Sequence, residues 1–244
     1  MKNAGVVFLI ILIIGLGSGC STLSKPAQGS AAEAASYFQN GSNAFKERNY
    51  ERAIDDLQWA LSLRPDYPEA LNLLGIVYLF QKNYPTAQAK FEKAIALDSS
   101  CAAAYANLGN LYFMTGRLDR AEEYLKKAVA LSPRLASAYY SLGNVCLTLG
   151  RTDEATQYLS RGLEIDPSYY DTHKQYIATP SGQDAAEFDF AWARVYASKG
   201  DVANTVKSLE DAKRAGFKDW KRLESDQAFA GVLADPQIRK FIKA

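Results

Sequence analysis

Few residues of the chain could carry acid–base or metal chemistry. His173 is the only histidine among 244 residues, and Asp171 and Lys174 lie beside it. A general base needs a nucleophile or an orienting partner, and no such motif accompanies this histidine. Asp184 and Glu187 are the nearby acids, and neither has the spacing of a metal or catalytic site. We therefore predict that the chain is not an enzyme and carries no metal or cofactor.

The first cysteine, Cys20, follows an export signal. Lys2 precedes the apolar run VVFLIILIIGL at residues 6–16. This run is shorter than the roughly 20 residues of a spanning helix, and its length is typical of a signal-peptide core. The small residues 17–19 then lead to Cys20, a pattern that resembles a bacterial lipobox with Gly17 in place of the common leucine. A plain secretory signal or an uncleaved anchor is the alternative.

The lipobox resemblance implies that residues 1–19 are a lipoprotein signal peptide and that Cys20 becomes lipidated. Each buried methylene contributes about 0.8 kcal/mol, so several acyl chains hold a protein firmly on a membrane. The residue after the cysteine is Ser21 and not aspartate. By resemblance to Gram-negative lipoproteins, this implies the outer membrane, with the folded part facing the periplasm. Residues 20–33 are small and polar and predict a flexible tether.

The composition excludes a strong electrostatic attraction to nucleic acid. Charged residues make up 23% of the chain, and the formal net charge is +1. A field of one sign is therefore too weak to bind a polyanion. Hydrophobic residues make up 48%, which is ample for a compact core or a repeat array.

Small and large apolar residues recur at a step of 34 positions. A self-similar period of this length indicates a repeat architecture, in which each unit buries its apolar face against its neighbours. Small residues allow two helices to approach closely, and proline ends a unit because it cannot continue a helix. The repeated positions are Gly41, Gly75, Gly109 and Gly143; Ala53, Ala87, Ala121 and Ala155; Leu57, Phe91, Leu125 and Leu159; and Pro65, Pro133 and Pro167.

This pattern resembles the tetratricopeptide-repeat (TPR) family, whose motif is W-x2-L-G-x2-Y, then A-x3-F, then P. The resemblance implies an all-α fold, an α-solenoid of antiparallel helix hairpins that winds into a right-handed superhelix with C-terminal capping helices. Four repeats are expected at residues 34–67, 68–101, 102–135 and 136–169, which together form the segment 34–169.

The repeat register is lost after residue 169. We expect an irregular connector at 170–185 and a degenerate fifth repeat at 186–216. Thr205 stands where the small alanine should be, which predicts looser packing. The segment 217–244 is expected to cap the last repeat, with Asp235 and the following proline starting a helix.

Two further cysteines, Cys101 and Cys146, belong to different repeats. A disulfide needs Cα atoms within about 7 Å, and these residues lie more than one full repeat apart in the expected stack. We therefore expect two buried thiols.

The resemblance implies that a partner segment binds in a concave groove lined by the first helix of each repeat. Asparagine amides suit a peptide backbone, and aromatic rings supply apolar contact area. Alternatively, the asparagines are ordinary family features and the aromatics pack between repeats. Family members that clamp the acidic C-termini of cytosolic chaperones use basic groove residues, which this chain lacks. The candidate groove residues are Phe38, Ser42, Asn72, Asn107, Asn110, Phe113, Tyr140, Asn144 and Arg194.

The leading hypothesis is a non-catalytic scaffold or adaptor anchored in the bacterial envelope. Its architecture resembles the pilotin-type lipoproteins of type IV pili and other envelope TPR lipoproteins, which implies a role in pilus or secretion-complex assembly. The expected partner is a protein of an envelope complex, with the membrane engaged only through the lipid. An adaptor for peptidoglycan-remodelling enzymes and a self-associating structural protein are the alternatives.

Overall fold

A computed structural model of the chain describes residues 28–168 and 183–243. The predicted signal peptide, the predicted lipidation site Cys20 and most of the predicted connector lie outside these residues. The first helix begins at Gln28, so residues 28–33, which were expected to belong to the flexible tether, are helical. Alanine is the strongest helix former, and Ala31, Ala32, Ala34 and Ala35 extend the helix toward the N-terminus.

The described residues form two compact units, 28–138 and 139–243. The N-terminal unit consists of three helix hairpins. They are α1 (Gln28–Lys46) with α2 (Tyr50–Leu63), α3 (Pro68–Phe80) with α4 (Tyr84–Leu97), and α5 (Ala102–Met114) with α6 (Leu118–Leu131). The first helix of each hairpin is called its A helix and the second its B helix. The all-α fold of antiparallel hairpins is confirmed.

The repeated glycines allow the A and B helices of a hairpin to touch. A Cβ atom at Gly75 would lie 2.6 Å from Cε1 of Phe91, and one at Gly109 would lie 2.7 Å from Cγ of Leu125. Both opposing side chains are fully buried. Since the interior is closely packed, only a residue without a side chain fits at these positions.

The turns between A and B helices use one residue with a positive φ. Gly116 has φ 74° in the third hairpin, whereas Arg48 and Lys82 have φ 60° at the equivalent positions of the first two. Asparagine follows in these two hairpins, and the Asn83 side chain accepts a hydrogen bond from the Thr86 amide at 3.3 Å. Asparagine therefore supplies the N-cap of the B helix.

The C-terminal unit contains most of α7 (Ala136–Thr148), whose first three residues belong to the N-terminal unit. It continues with α8 (Thr152–Ile165), α9 (Gln183–Ser198), α10 (Val202–Ala215), α11 (Arg222–Ser225), a 3₁₀ turn (Gln227–Phe229) and α12 (Pro236–Ile242).

Helices α9 and α10 form a hairpin that follows the repeat pattern with exceptions. Its turn glycine, Gly200, has φ 72°, close to the 71° of Gly150. Thr205, expected to loosen the packing, is fully buried, and its hydroxyl donates to the Asp201 carbonyl at 2.6 Å. In the same register, Asp189 occupies the position of Tyr139.

The last segment folds against α9 and α10 through an aromatic cluster. The rings of Phe190 and Phe217 stack with centroids 4.3 Å apart. Arg222 lies over the Phe190 ring at 4.4 Å and donates two hydrogen bonds to Glu187 at 2.9 and 2.8 Å. Asp235 accepts from the Gln237 amide and caps α12, as the sequence predicts.

Candidate functional site

The predicted groove residues of the N-terminal unit all lie on its A helices. Successive A helices are neighbours, since α1 contacts α3 and α3 contacts α5. Two aromatic residues remain partly exposed and the four polar ones are buried. We define this surface as the A-helix face, made of Phe38, Ser42, Asn72, Asn107, Asn110 and Phe113.

Two asparagine side chains connect neighbouring A helices. Asn107 on α5 donates from Nδ2 to Oδ1 of Asn72 on α3 at 3.0 Å. Asn107 is 1% exposed, and its own Oδ1 accepts no hydrogen bond in the described structure. A buried amide oxygen without a donor is unfavourable by about 1–3 kcal/mol. Because this oxygen is itself buried, the contact between Asn107 and Asn72 joins α5 to α3 inside the unit.

Aromatic contact anchors the other end of the face. The Phe38 ring lies 5.2 Å from that of Tyr67, which precedes α3. The guanidinium group of Arg64 also lies over the Tyr67 ring, with its central carbon 4.2 Å from the ring centroid. Burial is the main cause that raises the pKa of the Tyr67 hydroxyl. The ring therefore stays neutral and supports Phe38 as an apolar contact.

One acidic residue that the sequence analysis did not single out shares this face. Glu69 lies three residues before Asn72 on α3, so the two side chains project from the same side of the helix. Its Oε2 is buried and makes no hydrogen bond in the described structure. Its position three residues before Asn72 could have indicated from the sequence that Glu69 lies on this face.

The predicted groove residue Tyr140 of the C-terminal unit is buried between its own hairpin and α9. It is 1% exposed and stacks on Trp192 with ring centroids 5.9 Å apart. Its hydroxyl donates to the Asp166 carbonyl at 3.1 Å. Gly162 makes room for the ring, because a Cβ there would lie 3.1 Å from it.

The other two candidates in this unit have different surroundings. Asn144 is partly exposed on α7. Arg194 on α9 pairs with Asp226 at 2.5 Å and with Asp153 at 2.6 Å, and it also donates to Thr156 at 3.0 Å. Its charge is neutralised within the unit, where it joins α8 and α9 to the residues that follow α11.

Catalytic material is sparse in the part of the chain that the structure describes. His173 and Asp171 lie outside the described residues, and Glu187 is paired with Arg222. Within residues 28–168 and 183–243, no three potential metal-ligating side chains cluster. In the same ranges, no helix is both long and apolar enough to cross a membrane.

The expectation of two thiols is wrong for Cys101, which is disulfide-bonded. Cys146 is a buried thiol. The expectation considered only a bond between these two cysteines.

Comparison with family models identifies the repeats. One model, described as tetratricopeptide repeat, matches residues 69–134 and 100–168, and a second, described as TPR repeat, matches residues 36–82. Together they cover more than half of the chain. A search of curated protein sequences gave no significant match.

Solved structures show the same fold. PilF from Pseudomonas aeruginosa is 20% identical with a TM-score of 0.58, and the match covers 88% of this chain and 89% of that one. A thermophilic TPR protein from Thermus thermophilus is 22% identical with a TM-score of 0.54, covering 80% and 98%. The MamA protein is 24% identical with a TM-score of 0.50, covering 80% and 96%.

Proposed function

The chain belongs to the tetratricopeptide-repeat family, and from this premise we propose that it is a non-catalytic scaffold that binds a segment of a partner protein on its A-helix face. The observation that carries the proposal is the pair of partly exposed aromatic rings, Phe38 and Phe113, on the A-helix face. Aromatic rings suit the apolar side chains of a bound segment.

A matched pair of charge insertions tests this assignment. Phe113→Arg places a cation on the A-helix face, whereas Leu97→Arg places one at the end of the B helix α4, where Leu97 is 43% exposed. Proteins crosslinked to each variant in intact cells are recovered and compared with those of the wild type. We expect Phe113→Arg to lose the envelope partner and Leu97→Arg to retain it, with both variants equally helical. Equal recovery by both would place the binding site elsewhere.

We further propose that Cys20 is lipidated and anchors the chain in the envelope. The pattern of residues 2–20 supports this, and Ser21 supports the outer membrane with the repeats facing the periplasm. The anchor would hold the scaffold beside its partner and raise the effective concentration of the two.

The intact mass of protein purified from the native membrane tests whether Cys20 is lipidated. We expect a mass increased by the acyl chains and release from the membrane in Cys20→Ser. An unlipidated mass would contradict the anchor.

Within the envelope, we propose a role in assembling a pilus or secretion complex. A lipid anchor combined with a peptide-binding array supports delivery of a partner to the outer membrane. Deleting the gene should leave the oligomeric pore of that complex unassembled, as judged by its mass on non-denaturing gels. Loss of peptidoglycan-remodelling activity with the pore intact would instead favour the adaptor for those enzymes.

A further inference from the structure

The first hairpin carries an exposed aromatic pair on the side away from its turn. Trp59 on α2 is 59% exposed, and its ring stacks on that of Tyr37 on α1 with centroids 6.1 Å apart. The positions equivalent to Trp59 in the next three repeats are exposed cations, Lys93, Lys127 and Arg161. Because a solvated cation is compatible with the fold at these positions, the packing of a repeat does not require a tryptophan there.

The part of α2 around this tryptophan has no charge. Residues 57–63 (LQWALSL) contain no charged residue, whereas the corresponding segments of α4, α6 and α8 contain two each. Because α1 and α2 are antiparallel, this uncharged half of α2 lies beside the first half of α1. The charged residues of α2 all belong to its other half and are Glu51, Arg52, Asp55 and Asp56.

The uncharged half lies toward the end of the hairpin at which the proposed anchor is attached. Helix α1 begins at Gln28, eight positions after Cys20. Even a fully extended chain of this length spans only about 25–30 Å, and Tyr37 lies about 14 Å farther along the helix. The anchor therefore keeps the two rings close to the membrane surface, where a short linker makes even a weak contact effective.

A lipid surface suits the two rings better than a second protein does. An aromatic side chain buries about 150–250 Å², so two of them offer much less than the roughly 800 Å² per partner of a stable protein interface. Tryptophan and tyrosine are the side chains enriched at the boundary between membrane and water, because each combines an apolar ring with a polar edge.

The neighbouring charges limit the depth of such a contact. Glu33 is exposed one turn before Tyr37, and Arg64 and Asp66 follow α2. These charges are strongly disfavoured in the hydrocarbon core. They match the ammonium and phosphate groups of a zwitterionic lipid, so the rings reach the headgroup level and not the acyl core.

We propose that Trp59 and Tyr37 dock the first hairpin on the lipid headgroups of the membrane that holds the anchor, with the charged half of α2 in water. The inference rests on the proposed lipidation of Cys20, because the anchor brings the rings to the lipid. The contact orients the first hairpin on the membrane, which a tether alone does not do.

Quenching by brominated lipid tests this contact on the full chain. Protein purified from the native membrane is reconstituted into vesicles of phosphatidylcholine and phosphatidylethanolamine, with or without bromine near the headgroup end of one acyl chain. The fluorescence of Trp59 is the difference between the wild type and Trp59→Arg, because the other two tryptophans, Trp192 and Trp220, are common to both. We expect the brominated lipid to remove most of this fluorescence.

A matched swap moves the tryptophan along the same side of α2. Arg52 lies seven residues before Trp59, and its side chain is 61% exposed. The variant Arg52→Trp/Trp59→Arg keeps the composition and the net charge, and its tryptophan lies about 10 Å farther from the anchored end. This tryptophan should not be quenched, although both proteins should float with the vesicles.

The outcomes separate the contact from the anchor. Flotation of the wild type without quenching of Trp59 would overturn the contact and leave the anchor intact, whether or not Trp59 is shielded from water by another protein. Failure of the wild type to float would overturn the anchor and the contact together. Equal quenching in the wild type and the swap variant would overturn the contact, because it would not depend on the position of the tryptophan.

Discussion

The turn residue Lys82 offers a direct test of how the first two hairpins are built. Its φ of 60° is in the left-handed region, where the equivalent Gly116 has φ 74°. A non-glycine residue in this conformation destabilises the folded state by about 1–2 kcal/mol. Glycine removes that strain, but folding then costs about 0.5–1 kcal/mol more backbone entropy because glycine is freer in the unfolded chain. Lys82→Gly should therefore stabilise the N-terminal unit by about 0.5–1 kcal/mol. Urea denaturation followed by the helical circular dichroism signal measures this change.

The controls separate the backbone from the side chain. Lys82→Ala removes the exposed side chain and keeps the unfavourable φ, so its unfolding midpoint should match the wild type. Gly116→Ala should destabilise the same unit by about 1 kcal/mol, because a Cβ at Gly116 meets no atom within 4 Å and only the backbone conformation resists it. A stabilised Lys82→Ala, or a Lys82→Gly less stable than the wild type at an unchanged slope with urea, would refute the reasoning.

Three other perturbations have defined outcomes. Gly75→Ala places a Cβ 2.6 Å from the buried Phe91 ring and should lower the unfolding free energy by about 1–3 kcal/mol, measured in urea; an unchanged midpoint would contradict this contact. Burial raises the pKa of Asp189 to about 6, so the stability contributed by its protonated form is lost as pH rises from about 4 to 6. The melting temperature of Asp189→Asn should therefore exceed that of the wild type at pH 7.5 and equal it at pH 4. Arg222→Met removes the ion pair to Glu187 and should speed amide hydrogen exchange in α11 and α12, while unchanged exchange would make that pair dispensable.

Much of the fold follows from the sequence because its determinants are local and repeated. The glycines and alanines at the 34-residue step predict where A and B helices touch, and the structure places Gly75 against Phe91 and Gly109 against Leu125. Asp235 followed by proline predicts the start of α12 because capping needs only neighbouring residues. The helical residues 28–33 were missed because a small, polar composition was given more weight than the propensity of alanine.

The surroundings of the site were harder to predict because they depend on residues distant in sequence. A helix position alone does not show that the Tyr140 ring packs on Trp192, although Gly162, which makes room for it, was a visible signal. Arg194 is neutralised by Asp226, which belongs to the segment after α11. The near absence of charge on α3 and α5 was readable in the sequence once the helix bounds were known.

The most direct test of the central claim is photo-crosslinking in living cells with a benzophenone amino acid at single positions. The probe replaces Phe113 on the A-helix face or, as the matched control, Leu97 on the B helix α4. The account predicts that the probe at position 113 captures one envelope protein, and that the probe at 97 captures none. Capture of the same protein from 97 and not from 113 would contradict it.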